Sequence, residues 1–452
     1  MIEREMPAYF GGALWANHSL INPFGLLVLV LALGAILLMP RRRMILPVLL
    51  VAVFMPSALR IAVFSLDFTL LRIVILVTLA CAALRGHLHS VRFTTPDKLL
   101  LLWTLWGIIA YGFLTGGFGG VITGIGGAID TAGAYLIGRT YIRSVADMRK
   151  LFNWLALISM PMLLFFLVER TTGHNVFTLF GGVPEKLIVR NGELRCQGPF
   201  SHPILAGVFW ATLIPGLIAL WMGKLGSRIK IALALLCAFL IVVFTASSTS
   251  LMAALLGLLV LPMYVFRYRL RLIFLGAATA LIALQLVMKH PIWHLMARID
   301  LSHGSTGWHR YNLIQQAINH FNEWWLVGTN STAHWGWGLQ DITNQYVLEG
   351  VSGGILHLLL FVMFLACVFL RLGRSLRLTS DAAETWIVWG VGASLFVHCV
   401  SFLAVSYFGQ VVELFYLFIG GAVSMTTVQR YAPRYDAEPV PAPGKISLHG
   451  AG

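Results

Sequence analysis

Long apolar segments alternate with short polar ones over almost the whole chain. A helix needs about 20 predominantly apolar residues to cross the roughly 30 Å hydrocarbon core of a bilayer. We predict spans at approximately 24–40, 44–62, 69–84, 99–114, 120–138, 151–168, 204–222, 229–246, 251–266, 272–288, 355–370, 385–404 and 411–428. The pattern therefore predicts an all-α polytopic integral membrane protein with 12 or 13 transmembrane helices. The number depends mainly on the glycine-rich segment 120–138 and on the closely spaced last pair.

The composition excludes a water-soluble globular protein. The chain of 452 residues is 58% hydrophobic and 11% charged, whereas about a quarter of the residues in soluble domains are charged. The formal net charge is +14, but the basic residues separate apolar segments and do not cluster as a nucleic-acid-binding face requires. We therefore predict membrane lipids, and no nucleic acid, as partners.

The basic residues instead predict the orientation. Lys and Arg concentrate in alternate loops between the spans, and short cytoplasmic loops retain such residues. The two long loops, 169–203 and 289–354, are then external. We predict a single transmembrane domain over 1–430 without a cleavable signal peptide, and a proline-rich, disordered cytoplasmic tail over 431–452.

Few ionisable residues fall within the predicted spans. Asp130 and Glu413 are the main ones, and Arg60 and Arg72 flank a turn around Asp67 at the external ends of two spans. Such residues mark ion pathways in pumps and carriers, or they reach the interface from helix ends. Their scarcity disfavours a carrier with a proton relay at the membrane midplane.

The external loops also lack the usual signatures of metal and nucleotide sites. They contain no Asp-x-Asp or His-Glu-x-x-His motif, and their histidines have no zinc-ligand spacing. Cys196 is the one cysteine in these loops, so neither a disulfide nor a cysteine-based zinc site is expected there. The phosphate-binding loop of ATPases is also missing, and we predict neither metal nor cofactor.

The second external loop contains an amphipathic helix. Apolar residues recur there at three- and four-residue spacing, namely Tyr311, Ile314, Ile318, Phe321 and Trp325. The neighbouring tryptophans favour a helix that lies along the outer membrane interface. The alternative is a lid that packs over the helical bundle.

Two arginines of these loops are candidate anion-binding residues. Arg195 and Arg310 each lie in a loop rich in glycine and aromatic residues. A planar, permanently charged guanidinium matches phosphate oxygens, so two of them can neutralise a lipid-linked diphosphate without a metal. Arg60 and Arg72 can join them, although an arginine in a loop is more often simply solvated.

A transfer reaction also needs a group that accepts a proton from the acceptor hydroxyl. The candidates in the second loop are His309, His334 and Asp341, and the sequence does not rank them. Asp341 has an alternative role as a helix cap. Asn344 and Tyr346 can hydrogen-bond to a sugar or close the turn.

At these residues the chain resembles the superfamily of bacterial O-antigen ligases and Wzy-type polymerases. The matching patterns are Arg195-x-x-Gly198-x-Phe200-x-x-Pro203, Ser305-x-x-x-x-Arg310, Trp325-x-x-Gly328, and Asn344-x-Tyr346 followed by Gly350-x-x-Gly353-Gly354. They cover residues 180–360, and the remainder agrees in architecture. Two patterns depart from the family. The chain has Ser247-Ser248-Thr249-Ser250 where many members have Ser-Arg-Gly, and Thr343 where many have histidine.

The resemblance implies a metal-independent glycosyltransferase in the bacterial inner membrane with its active face in the periplasm. Its donor would be an undecaprenyl diphosphate-linked glycan, and its acceptor another glycan or lipid A core. The product would be O-antigen or an exopolysaccharide, made by ligation or by polymerisation. A lipid-glycan transporter or flippase, and a non-catalytic assembly protein, are the alternatives. The first of these predicts polar residues along a path through several spans.

Overall fold

The computed structural model describes residues 18–64, 66–295 and 307–431. Ser305 and the predicted tail beyond residue 431 lie outside these ranges. The helices are α1 (Pro23–Leu38), α2 (Ile45–Phe54), α3 (Leu70–Leu84), α4 (Thr95–Thr115), α5 (Phe118–Ala128), α6 (Ala134–Tyr141), α7 (Val145–Thr172), α8 (Pro203–Met222), α9 (Arg228–Phe244), α10 (Ser248–Val260), α11 (Leu270–Val287), α12 (Gly307–Asn319), α13 (Phe321–Trp324), α14 (Gln345–Leu378), α15 (Ala382–Ser401) and α16 (Gln410–Tyr431). A π-helical segment, Ile129–Gly133, joins α5 to α6, and two short antiparallel hairpins are formed by β1 (Arg60–Val63) with β2 (Leu66–Thr69) and β3 (Ile188–Arg190) with β4 (Glu193–Arg195).

The structure confirms a mostly helical protein with several membrane-spanning candidates. Among the described residues, seven helices are long and apolar enough to cross a bilayer, and the bent pair Ser248–Val260 and Pro262–Arg269 makes an eighth if it forms one span. Shorter apolar helices occupy Pro23–Leu38, Leu70–Leu84 and Leu275–Val287. The full number of 12 or 13 crossings, and the membrane face of each loop, stay predictions.

Polar residues at the helix starts explain many of the boundaries. The side chain of Asn22 accepts a hydrogen bond from the Gly25 N–H at the start of α1, and Ser227 and Asp381 do the same for α9 and α15. Such caps satisfy amide groups that have no partner inside the helix. At α4, Thr94 and Asp97 cap each other reciprocally, which is the arrangement known as a capping box.

One predicted boundary was wrong. The span predicted at 44–62 ends at Phe54, and residues 60–63 form strand β1 instead. Pro56 follows closely, and a proline restricts the preceding residue to extended conformations.

Helix α14 begins within the predicted external loop 289–354. Asn344 caps the helix by accepting the Val347 N–H at 3.1 Å. Gly353 and Gly354 then interrupt α14 with non-helical backbone angles, next to the predicted start of the following span at residue 355. The external position of this loop stays a prediction.

Helices α8 and α16 form the centre of the bundle. In their most apolar windows, 83% and 94% of the residues are buried inside the protein, against 17% for α4. Helix α4 therefore lies at the periphery, where its exposed leucines can face lipid. Because lipid tails are as apolar as leucine, close packing of the central helices must supply the energy that holds them together.

Glycines allow α6 and α16 to approach very closely. A Cβ atom at Gly138 would lie 2.1 Å from the carbonyl oxygen of Leu417, and one at Gly420 would lie 2.1 Å from that of Tyr135. Small residues permit this kind of backbone contact between membrane helices. The contact fixes α16 in the bundle, and α16 begins at the end where the long loops lie.

A buried ion pair ties the opposite end together. Arg139 Nε lies 2.8 Å from Asp97 Oδ1, and a terminal nitrogen of Arg139 donates to Asp97 Oδ2 at 3.0 Å. Both side chains are almost fully buried, and the Tyr135 hydroxyl also donates to Asp97. A buried pair avoids a large desolvation penalty only when its hydrogen bonds are complete in this way. At the same end, Arg41 donates a hydrogen bond to Ser90, and Arg371 donates one to Thr427. We name this end the basic end.

The second long loop packs over the bundle as a lid. Leu313, Ala317, Trp324, Trp335, Leu339 and Val351 form a small core of their own. Ile318, Phe321 and Trp325 of the predicted apolar stripe are exposed, and the position of this stripe in the membrane interface stays a prediction. The predicted single helix is also divided, because α12 ends at Asn319 and α13 begins at Phe321. The exposed stripe faces away from the small core and can meet lipid.

We predict that Gly138→Ala destabilises the protein by about 1–3 kcal/mol, the usual cost of overpacking a dense core. The added methyl group would collide with backbone of α16 that cannot move independently. Thermal unfolding in detergent measures the effect. Gly34→Ala in α1 is the matched control, since a Cβ there meets nothing within 4 Å. Equal unfolding temperatures for both variants would contradict the packing argument.

Candidate functional site

Arg195 is positioned by the β3–β4 hairpin. Asn191 and Gly192 both have positive φ, 53° and 79°, as the two central residues of a type I′ hairpin turn require. Arg195 ends β4 with its side chain buried, and its Nε lies 3.4 Å from the carbonyl oxygen of Thr245. The first long loop thus places this guanidinium against the turn between α9 and α10.

Arg310 reaches the same turn from the lid. It lies on α12, donates from Nε to the carbonyl oxygen of Ala404 at 3.1 Å, and donates from a terminal nitrogen to Thr249 Oγ1 at 2.8 Å. Burial, together with the nearby charge of Arg190, lowers the pKa of Arg310 to about 10. The group remains a cation at neutral pH in spite of this environment.

The two predicted arginines therefore contact the same short segment, residues 245–249. Thr245 and Thr249 are four residues apart, so their Cα atoms lie within about 14 Å even if the chain were fully extended. Ala246 in this turn has a φ of 42°, a left-handed conformation that costs a non-glycine residue roughly 1–2 kcal/mol. We name this arrangement the arginine turn: residues 245–249 with the Arg195 and Arg310 side chains.

Two helices begin at the arginine turn. Ser247 caps α10, and His202 caps α8 by accepting the Ile204 N–H on Nδ1 at 3.1 Å. The two starts are in contact, because Ser250 Oγ donates to the carbonyl oxygen of Ile204 at 3.3 Å. Helix N-termini carry partial positive charge and favour anions. They add to the field of the two guanidinium groups.

Sequence reasoning missed two residues near this site. Burial, together with the charges of Arg195 and Arg190, lowers the pKa of His202 to about 4. His202 is thus neutral at neutral pH, and Arg190 is close enough to influence both His202 and Arg310. Both residues belong to the segment between Arg190 and Pro203 that the sequence singled out, but only the fold shows their proximity to Arg310.

A buried glutamate holds the segment that follows Arg195. The two carboxylate oxygens of Glu169 accept the N–H groups of Gln197 and Gly198, each at 2.9 Å. Gln410 Nε2 donates to the carbonyl oxygen of Pro199, and Asn175 Nδ2 donates to that of Gly198. With its backbone groups bound from three helices or loops, the segment is a rigid support for Arg195 and His202.

Arg60 and Arg72 each form an ion pair with an aspartate. Arg72 Nε donates to Asp130 Oδ1 at 2.9 Å, and a terminal nitrogen donates to Oδ2 at 2.5 Å. Arg60 lies 3.4 Å from Asp67 Oδ2. Each positive charge is therefore paired with a carboxylate, and the contribution of these arginines to an anion site stays a prediction.

The three candidate bases separate into two groups. His309 Nε2 lies 3.2 Å from the backbone carbonyl oxygen of Asp341, and His309 directly precedes Arg310. The pKa of the Asp341 carboxyl is raised by the surrounding protein, an effect that His309 opposes. His334 instead contacts Glu323 Oε2 at 2.7 Å on the surface of the lid. The structure thus brings His309 into contact with the backbone of Asp341, whereas His334 contacts Glu323.

Asn344 and Tyr346 make hydrogen bonds within the protein, and their contact with a sugar stays a prediction. Asn344 is buried, caps α14, and donates from Nδ2 to the carbonyl oxygen of Leu403 at 3.1 Å. The Tyr346 hydroxyl donates to the carbonyl oxygen of Cys399 at 2.9 Å. Asn344, and not Asp341, is therefore the helix cap, which removes the alternative role of Asp341.

Comparison with protein-family models and with curated proteins found no match.

We predict that Glu169→Gln destabilises the protein by about 1–3 kcal/mol, because an amide turns an N–H group toward one of two buried N–H donors. Hydrogen exchange at Gln197 and Gly198 should quicken, and thermal unfolding should occur at a lower temperature. Glu185→Gln is the control, since Glu185 is in the same loop and its side chain is exposed. Unchanged exchange in both variants would show that Glu169 does not hold the segment.

Proposed function

We propose that this protein is a membrane glycosyltransferase that takes a glycan from an undecaprenyl diphosphate carrier. It would act at the periplasmic face of the bacterial inner membrane, without a metal, in the synthesis of O-antigen or an exopolysaccharide. The observation that supports this most is the arginine turn, where Arg195 and Arg310 hydrogen-bond to residues 245 and 249. Two helix N-termini beside them make the location suitable for a diphosphate.

The proposed reaction follows from that electrostatic arrangement. The acceptor hydroxyl attacks the anomeric carbon, the bond from that carbon to the diphosphate oxygen breaks, and the electron pair remains on the diphosphate. Fixed guanidinium groups stabilise the charge that develops there, in a site where little water competes. Arg310 suits this role, because an anion would compensate the cost of burying its charge.

The acceptor's proton would pass to a group in the lid. Asp341 is the better candidate base, because its carboxyl group has a raised pKa and its backbone carbonyl group contacts His309, the residue before Arg310. A base with a pKa nearer the working pH transfers protons more effectively. Direct displacement by the acceptor would invert the anomeric centre. The acceptor is a second lipid-linked glycan in a polymerase and lipid A core in a ligase.

One observation favours the alternative of a lipid-glycan transporter or flippase. Arg72, Asp130 and Glu413 form a charged group inside the helical bundle, and intramembrane charges often mark transport pathways. The group nevertheless involves only three helical segments, and its charges are mostly paired within it. We therefore keep glycosyl transfer as the proposal and transport as the second candidate.

We predict that Arg195→Ala and Arg310→Ala each lower the release of undecaprenyl diphosphate by a hundredfold or more, since losing a charge contact in a dry site costs several kcal/mol. Purified protein in liposomes, supplied with an undecaprenyl diphosphate-linked glycan, provides the assay. Arg195→Lys and Arg310→Lys should retain intermediate activity, because lysine keeps the charge but loses the planar fork.

Arg42→Ala is the matched control, because Arg42 is exposed beside Arg41 at the basic end. Each variant must unfold near the wild-type temperature, so that lost activity is not lost folding. Full turnover in both alanine variants would remove the arginine turn from the mechanism. Movement of the glycan across the membrane without diphosphate release would support the flippase.

The proposed orientation has its own test. We predict that a membrane-impermeant maleimide labels His174→Cys from the periplasmic side of intact cells, and labels Arg42→Cys only after the membrane is opened. Both positions are exposed, whereas the native cysteines are buried or half-buried. The reverse labelling pattern would place the arginine turn in the cytoplasm and exclude the proposed donor site.

A further inference from the structure

A second group of charged residues lies inside the bundle, away from the arginine turn. Arg72 of α3 and Asp130 of the π-helical segment form a two-point ion pair, and each side chain is 17% exposed. The charge of Glu413, in the first turn of α16, influences Arg72, and that of Asp130 influences Glu413. Two carboxyl groups therefore share the surroundings of one guanidinium.

The described hydrogen bonds of the Arg72 guanidinium go to Asp130 and to the backbone of Asp67. Asp130 accepts from Arg72 Nε and from one terminal nitrogen, and the other terminal nitrogen donates to the backbone carbonyl oxygen of Asp67 at 2.6 Å. Glu413 is only 8% exposed, and its Oε2 has no hydrogen-bond partner among the described residues. An ionised Glu413 would be a buried charge without compensation, which is strongly unfavourable in a membrane interior.

The other charged groups on the neighbouring helices have partners elsewhere. Arg139 of α6 binds Asp97, Glu169 of α7 accepts two backbone N–H groups, and Glu349 of α14 accepts from Trp103 and Gln345 beside His357. His398 of α15 bonds to the Tyr407 hydroxyl, Arg371 of α14 binds Thr426 and Thr427, and Arg60 binds Asp67. The described contacts thus leave Arg72 and Asp130 as the charges that decide the state of Glu413.

The backbone around this group is unusual as well. Asp130 lies in the π-helical segment Ile129–Gly133, and such insertions occur frequently at functional sites. Gln410 lies one turn before Glu413, and its Oε1 is also buried and has no hydrogen-bond partner in the part of the chain that the structure describes. Its Nε2 donates to the carbonyl oxygen of Pro199. The first turn of α16 therefore connects Glu413 to the segment that supports Arg195.

We propose that Glu413 is a proton-binding site and carries a carboxylic acid proton at neutral pH, so that Arg72, Asp130 and Glu413 together are electrically neutral. On release, the O–H bond of Glu413 breaks and the proton passes to water at the loop end of the bundle. Two carboxylates then compete for Arg72, and the first turn of α16 shifts with the Pro199 segment. The contacts that support this site do not depend on the proposed glycosyl transfer.

Infrared spectroscopy of the full-length protein in liposomes tests the proposal. Wild-type protein at neutral pH should show a protonated-carboxyl C=O band that Glu413→Gln removes without lowering the unfolding temperature, because glutamine has the shape of the neutral acid. Asp130→Asn should also remove the band although Glu413 is still present. Without its partner, Arg72 would pair with Glu413 and favour the ionised form.

Glu384→Gln is the control, because Glu384 is exposed at the start of α15 and should not affect the band. A spectrum of Glu413→Gln identical to that of the wild type would overturn the proposal. So would stabilisation by sodium ions that Glu413→Gln abolishes, since a metal cation would then occupy the place of the proton. These readouts do not need glycosyl transfer, so their failure is distinguishable from failure of the proposed function.

Discussion

The turn between α9 and α10 is the contact on which the arrangement of the loop end depends. Arg195 binds its first residue and Arg310 its last, so the first loop and the lid are both attached to the same five residues. Inside a bundle, backbone carbonyl groups left free at helix ends need donors. The two arginines supply such donors, and their side chains place positive charge near the start of α10.

Two charged pairs elsewhere in the bundle consist of an arginine and an aspartate. At the basic end, Arg139 and Asp97 compensate each other through two hydrogen bonds, and Arg72 and Asp130 do so nearer the loops. The arginine turn holds its guanidinium groups next to carbonyl and hydroxyl oxygens. Two guanidinium groups and two helix N-termini therefore contribute positive charge at this location, which is why we associate it with an anionic substrate.

The supports of the arginine turn connect it to the rest of the protein. Glu169 on α7 holds the backbone after Arg195, and Gln410 on α16 holds Pro199. The close contact of α16 with α6 through Gly138 and Gly420 makes that support rigid. A rigid surrounding structure is what charged groups need if they are to stabilise developing charge without reorganising.

The sequence by itself determined the class of the protein and the chemistry of its loops. The length of the apolar segments predicted the helices, because the thickness of the hydrocarbon core sets that length. The composition of the two long loops indicated Arg195, Arg310, His309 and Asp341 as candidate site residues. The register of the lid helix and the break after Phe54 were decided by packing and by a proline, which periodicity alone does not weigh. Only the tertiary structure shows that Arg195 and Arg310 contact the same turn, that Arg72 pairs with Asp130, and that Asn344 caps α14. Each depends on contacts between residues far apart in the chain, and spacing along the sequence carries no information about those distances.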